Sequence, residues 1–346
     1  NDNIAIGYDA MTTNTAGGTR NVAVGNYSED ALTSGDKNIG VGYGSLSAVT
    51  TGSENVGIGD NALGQLTTTN GNTALGSNAG FAVAGASNTA IGQYALQAAT
   101  TTNDNTAVGA SALTANTGGA STTGIGSGAL SANTTGASNT AVGAGSLNDN
   151  TTGANNVALG RNTLSLNVTT SSNTAIGHEA LKANTASNNT AVGNAALVAN
   201  TTGASNTAMG HSALAASTTG TENVAVGMYA LDASGAGTDG SYNVAVGNDA
   251  LGANTEGQFN VGIGRRALYA NTVADENTAV GYLALMANTT GDSNTAIGVS
   301  ALQANTTASD NIAIGNRTMS ANTTGTRNIA IGYSAYTGSD TESDNI

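Results

Sequence analysis

The chain has 346 residues and a formal net charge of −14, with 49 Gly and no Pro, Cys or Trp. The absence of Cys excludes a disulfide framework and thiolate metal sites, and the acidic balance argues against nucleic-acid binding, because phosphates would be repelled. No apolar run approaches the ~20 residues of a membrane-spanning helix. Only 9% of residues are charged while 39% are hydrophobic, the reverse of a disordered composition. Composition therefore favours a structural protein.

One five-residue motif recurs along the whole chain: Asn, a β-branched residue, Ala or Gly, an aliphatic residue, then Gly. Leu or Met stands four residues after this motif Gly in 17 of the 20 copies, the exceptions being Glu29, Gly80 and Tyr336. The eighth copy opens with Thr122 in place of Asn. Most copies lie 17 residues apart, and they start at residues 3, 21, 38, 55, 72, 88, 105, 122, 139, 156, 173, 189, 206, 223, 243, 260, 277, 294, 311 and 328.

The short period predicts an all-β fold, a parallel β-solenoid or β-roll of about 20 coils. Seventeen residues are too few for helical-pair repeats of ~33 or leucine-rich repeats of 20–29, but suffice for two short strands and two turns. At ~4.8 Å per coil, the stack would be on the order of 95 Å long. We expect a single continuous array over 1–346. Because it starts and stops in the same phase of the repeat, we expect it to be an excerpt of a longer fibre.

Strand alternation then suggests which residues face inward. The first and third residues after the motif Asn share one side, and with the Leu they are expected to line the interior. The Ala or Gly between them is expected to face outward, its small size reflecting close approach of another chain. In the second repeat, Leu32 is interpreted as a register adjustment that compensates for Glu29.

The most regular columns are predicted to be structural rather than chemical. The motif Asn is expected to form an internal amide ladder that satisfies turn backbone groups, and the motif Gly is expected to end each strand. Representative members of these columns are Asn88, Asn105, Asn139, Asn156, Asn173, Gly92, Gly109, Gly143, Gly160 and Gly177.

The unit Asn-Thr-Ala-Ile-Gly, at 88–92 and 173–177, resembles the head repeats of YadA-type trimeric autotransporter adhesins. It is also similar to repeats of trimeric phage tail fibres and other bacterial surface fibres. The resemblance implies a left-handed parallel β-roll with three chains side by side. The 17-residue period is longer than that of those heads.

The two residues after each motif Gly vary in nearly every copy and collect Tyr and Arg. We interpret this stripe either as an adhesive surface, since Tyr offers flat amphipathic contacts, or as a solvated corner that accepts any side chain. Two histidines, His178 and His211, are expected ~10 Å apart, too far to share a metal. The candidate adhesive residues are Tyr8, Tyr27, Tyr43, Tyr94, Tyr229, Arg265, Arg266, Tyr282 and Tyr333.

These observations predict a fibre module on a cell surface or virion, with no enzymatic activity, metal or cofactor. We expect a homotrimer that acts by multivalent contact with surface glycans or proteins, or that projects a distal tip. No nucleic-acid partner and no membrane insertion of this segment are expected. The alternative is an ice- or surface-binding solenoid that uses Thr and Asn ladders. A polysaccharide-processing enzyme is least favoured, because it would need clustered carboxylates and long loops. The only sizeable insertion in the repeats lies near 235–240.

Overall fold

The computed structural model describes residues 2–14, 16–98, 100–233, 240–338 and 341–345. Residues 234–239 lie outside these ranges, and with them all of the predicted insertion near 235–240 except Gly240. The described chain groups into two compact units, 1–172 and 173–346, and each is described by itself.

Each unit is a stack of three-residue parallel strands. Within a unit every strand pairs in register with the next, so that Thr106, Ala107 and Val108 lie opposite the three residues of 123–125. This arrangement confirms the predicted all-β parallel solenoid with coils of about 17 residues. Unit 1 contains β1 Ile4–Ile6, β2 Val22–Val24, β3 Ile39–Val41, β4 Val56–Ile58, β5 Thr73–Leu75, β6 Thr89–Ile91, β7 Thr106–Val108, β8 Thr123–Ile125, β9 Thr140–Val142 and β10 Val157–Leu159. Unit 2 contains β11 Thr174–Ile176, β12 Thr190–Val192, β13 Thr207–Met209, β14 Val224–Val226, β15 Val244–Val246, β16 Val261–Ile263, β17 Thr278–Val280, β18 Thr295–Ile297, β19 Ile312–Ile314 and β20 Ile329–Ile331.

The described part of each coil has one strand, so the expectation of two strands per coil is wrong. The remainder turns through left-handed backbone positions, as at Asp104 (φ 62°), Ser111 (φ 57°) and Leu113 (φ 53°). Hydrogen bonds between coils continue around these turns: the Leu113 N–H donates to the Ala129 carbonyl at 3.0 Å. Backbone hydrogen bonds between coils therefore stabilise the solenoid in its turns as well as in its strands.

The requirement for Gly at the end of the motif is steric. At Gly109 the backbone φ is +130°, and an added Cβ would lie 2.6 Å from the carbonyl carbon of Gly126 in the next coil. Any larger residue would meet both a disfavoured backbone conformation and a clash with backbone. This double constraint explains why Gly recurs at the strand ends, and at Gly332, after β20, the backbone conformation (φ +132°) alone applies.

The predicted assignment of faces is wrong. The central residue of the strand points into the coil, since Ala107 is completely buried, whereas Ile125 on the flank of β8 is 38% exposed. At Gly124, between the flanks of β8, an added Cβ would lie 3.2 Å from Cγ of Leu113 in the preceding coil. The narrow interior between strand and Leu thus limits the central residue to Ala or Gly, with no second chain required.

The motif Asn residues form a buried ladder beside the strand. The Asn156 backbone N–H donates to Oδ1 of Asn139 at 2.9 Å, and Nδ2 of Asn139 donates to the Gly153 carbonyl at 2.7 Å. Both side chains are completely buried. Each amide therefore joins neighbouring coils while satisfying backbone groups that the turn leaves unpaired.

A second amide column, not predicted from the sequence, lies seven residues after the motif Gly. Nδ2 of Asn133 donates to Oδ1 of Asn116 at 3.0 Å, and Asn150 donates in turn to Asn133 at 2.8 Å. In coils 2–5 buried apolar residues occupy this column instead, namely Leu32, Val49, Leu66 and Val83.

Leu32 therefore belongs to this second column and not to the Leu column four residues after the motif Gly. The interpretation of Leu32 as a register adjustment is wrong. Glu29 keeps the position of the Leu column: its N–H donates to the Ser45 carbonyl at 3.0 Å, just as Leu46 donates to Ala62 at 3.0 Å. The Glu29 side chain is completely buried. One coil thus contains an ionisable group where most others contain Leu.

Candidate functional site

The first and third side chains of the strands form an exposed surface in each unit, which we call the sheet face. Ten coils spaced ~4.8 Å apart and ~10 Å of strand length give it a projected area of roughly 500 Å² per unit. That equals the largest apolar patches of ordinary monomers, which are often functional. Its large exposed hydrophobic members, each 37–69% accessible, include Ile39, Leu75, Ile125, Val157, Leu159, Met209, Ile263, Ile297, Ile312, Ile329 and Ile331.

The two columns of the sheet face differ in chemistry. The third residue is always aliphatic, whereas the first is Thr throughout β5–β9 and Val or Ile in β1–β4. Thr73 and Thr140 are exposed, and the three threonines between them are half-buried. Neither column contains a charged residue, although a charge on the solvent face of an apolar strand is a usual protection against association.

The candidate adhesive residues lie at the corner that follows each strand, and only some of them come together. In unit 1, the ring centroids of Tyr8 and Tyr27 are 5.6 Å apart and those of Tyr27 and Tyr43 are 5.5 Å apart, both edge to face. Tyr94 belongs to a separate coil of the same unit, and Tyr333 belongs to unit 2 and is 77% exposed. The stripe is thus a set of local clusters.

Arg265 and Tyr282 form one such cluster in unit 2. The Arg265 guanidinium carbon lies 5.8 Å from the centroid of the Tyr282 ring, and its Nη1 is 3.4 Å from the Tyr282 hydroxyl. Both side chains lie immediately after a motif Gly in neighbouring coils. This pairing holds the cation over the ring and fixes the corner at that point.

A groove of about 350 Å³ lies nearby in unit 2, at positions two and five after the motif Gly of three successive coils. Tyr229 and Asp232 come from one coil, Asp249 and Gly252 from the next, and Tyr269 from the third. Only Tyr229 of these five was a sequence candidate. The other four could have been found only from their positions in the repeat, because residues two and five after the motif Gly of successive coils lie at one corner.

Polar contacts surround this groove. Nε of Arg266 lies 3.4 Å from Oδ2 of Asp249, and its guanidinium carbon is 5.2 Å from the centroid of Tyr269. Burial raises the pKa of the Asp232 carboxyl, His211 opposes that rise, and the negative charge of Asp249 adds to it. The groove therefore combines two carboxylates, one guanidinium and two phenol rings.

The two histidines lie in different surroundings. His211 packs edge to face on Tyr229, with ring centroids 5.4 Å apart, while Nδ1 of His178 lies 3.4 Å from Nδ2 of Asn194. Over the described ranges, no three His, Asp or Glu side chains gather closely enough to hold a metal ion. The same ranges contain no helix that is long and apolar enough to cross a membrane.

Neither a protein-family model nor a curated protein matches the sequence.

Proposed function

We propose that the chain is a structural fibre module, in which solenoids associate side by side through the sheet face as a homotrimer. In this proposal it forms the rod-like shaft or head of an extracellular fibre, such as a surface adhesin, a tail fibre or a filament. It acts by repeated weak contacts along the rod or by projecting a distal tip. The observation that carries the proposal is the uncharged, largely aliphatic sheet face repeated in every coil of both units.

A second copy of the same chain is the partner that fits this face best. The spacing of its side chains along the stack is set by the coil repeat, and an identical solenoid has the same spacing. Roughly 500 Å² per unit is below the ~800 Å² that each partner contributes to a standard interface. The sheet face of one unit alone is therefore smaller than one side of a standard interface.

Charged substitutions on the sheet face test this proposal. In one variant, Ile91, Val108 and Ile125 in the third column of β6–β8 are all replaced by Lys. The matched control places three Lys in the same coils but at the exposed corner, replacing Gln93, Ala110 and Ser127. We expect the first variant to be monomeric by light scattering and the control to keep the wild-type mass.

Three outcomes bear on this test. A wild-type chain that is already monomeric contradicts the proposal, as does a face variant that stays trimeric with an unchanged circular-dichroism spectrum. Loss of the trimer in both variants would mean that added charge, rather than the sheet face, controls assembly.

The outward-facing Thr column, whose members are exposed or half-buried, supports a second candidate, an ice- or surface-binding solenoid. The Thr side chains of β5–β9 were expected to face inward. They lie instead on the outer sheet face, at the regular coil spacing. A monomeric chain that shows thermal hysteresis, lost on replacing Thr106 by Lys, would favour this candidate. Absence of hysteresis in the monomer would eliminate it.

A further inference from the structure

We infer that the groove formed by Tyr229, Asp232, Asp249, Gly252 and Tyr269 binds one neutral sugar unit of a glycan. The groove lies at the corner of three successive coils of unit 2, away from the sheet face. The inference is therefore independent of self-association and goes beyond the proposed function.

The two tyrosines form preorganised sides of the groove. An added Cβ on Gly252 would lie 3.2 Å from Cδ2 and Cε2 of Tyr269, so that ring rests against bare backbone. Arg266 contacts the Tyr269 ring at 5.2 Å, and His211 packs against Tyr229. Because both rings are held before a ligand arrives, little side-chain entropy is lost on binding. Such amphipathic rings suit the C–H surface of a pyranose.

The carboxylates supply the complementary polar contacts. Asp232 is partly buried, and the Asp249 side chain is only 21% exposed. Ionised carboxylates only accept hydrogen bonds, so they pair with the hydroxyl donors that a sugar presents. Two carboxylates outweigh the one guanidinium of Arg266, and the chain has a net charge of −14. These charges disfavour sulfated, sialylated and uronate glycans.

The size of the groove limits the ligand. A volume of about 350 Å³ falls at the small end of ligand pockets, which span roughly 300–1,000 Å³. We therefore assign room for one sugar ring, with the rest of the glycan extending along the exposed corner.

Unit 1 contains the same packing of an aromatic ring on glycine without the two acids. In unit 1, Phe81 rests on Gly64 in the same way, since an added Cβ on Gly64 would lie 3.1 Å from Cε2 of the ring. The position of Asp249 is taken there by Asn61, and the position of Asp232, five residues after the motif Gly of the preceding coil, is taken by Ser47. The packing of an aromatic ring on glycine therefore does not require acids. The carboxylates of Asp232 and Asp249 are additional features of the groove in unit 2.

The test uses the full chain and defined probes: cellotetraose, maltotetraose, mannotetraose and tetra-N-acetylchitotetraose, with sialyllactose and a heparin tetrasaccharide as anionic probes. Saturation-transfer NMR identifies binding, and calorimetric titration measures Kd. We expect at least one neutral probe to bind and both anionic probes not to bind. Absence of binding by all four neutral probes at millimolar concentration, or preference for an anionic probe, would overturn the inference.

Four variants locate the site once a neutral probe binds. We expect Tyr269→Ala to weaken binding at least tenfold and Asp232→Asn about fivefold, because one removes a wall and the other an anionic acceptor. Tyr269→Phe keeps the wall and should bind within threefold of the wild type. Tyr43→Ala removes an exposed Tyr of unit 1 and should have no effect. If Tyr269→Ala unfolds unit 2, Asp232→Asn decides alone: unchanged binding in that near-isosteric variant would overturn the inference.

Discussion

The buried carboxyl of Glu29 makes the second coil sensitive to pH. The side chain occupies the position that contains Leu in most coils and is completely buried, and neither oxygen meets the geometry of a hydrogen bond. Burial raises the pKa of Glu29 to about 8, and the nearby Gly40 amide lowers it by less. The uncharged form is therefore the one that the folded coil accepts.

The direction of the pH dependence follows from proton linkage. In the unfolded chain the Glu29 pKa is 4.5 and in the folded chain about 8, so the folded state binds the additional proton between these values. The stability of this region therefore falls as pH rises from about 4.5 to about 8. At ~1.4 kcal/mol per pKa unit, the full loss is about 5 kcal/mol as an upper limit.

Hydrogen exchange of the peptides covering residues 20–50, corrected for intrinsic rates, measures this loss at pH 5 and pH 9. We expect Glu29→Gln to abolish most of the pH-dependent loss of protection. Glu29→Leu should in addition raise protection at pH 9, because Leu46 in the next coil occupies the same left-handed backbone position. Glu222→Gln, at an exposed site of unit 2, is the matched control and should behave as the wild type. A Glu29→Gln chain with the pH profile of the wild type would refute the reasoning.

Two further predictions concern the repeat columns. Gly109→Ala should destabilise its unit by at least about 3 kcal/mol, because the added Cβ meets backbone at 2.6 Å in a strained conformation. The control is Gly338→Ala, where no atom lies within 4 Å of the added Cβ. It should change stability by less than about 0.5 kcal/mol. Equal thermal shifts in these two variants would contradict the steric account. Asn133→Leu should lower the free energy of unfolding, measured in urea, by about 2–4 kcal/mol, because Asn150 Nδ2 and the Gly136 carbonyl each lose a buried partner. A neutral substitution there would show that the second amide column contributes nothing.

Much of the fold could be predicted from the sequence because the motif is strict. A β-branched residue, a small residue and an aliphatic residue before Gly occur at every strand, and the period leaves few alternatives to a solenoid. The faces could not be predicted in the same way. Alternation shows that Thr123 and Ile125 share a side, but which side is inward depends on the left-handed turn at Leu113, and that turn brings Leu against Gly124.

The same limit applies to the candidate site. Asp232 and Asp249 are 17 residues apart in a variable part of the repeat, and no local motif connects them. Tyr269 lies beside Gly252 only because the coils stack in register at that corner. The aromatic stripe after each motif Gly was visible in the sequence, whereas the groove depends on the fifth residue after that Gly, whose orientation is set by two preceding left-handed positions.

The native mass of the chain in solution, measured by light scattering, tests the central claim most directly. Association through the sheet face as a homotrimer predicts three times the chain mass of 33.4 kDa. A single species of 33.4 kDa at micromolar concentration would contradict it and would leave the sheet face exposed to solvent in the functional state.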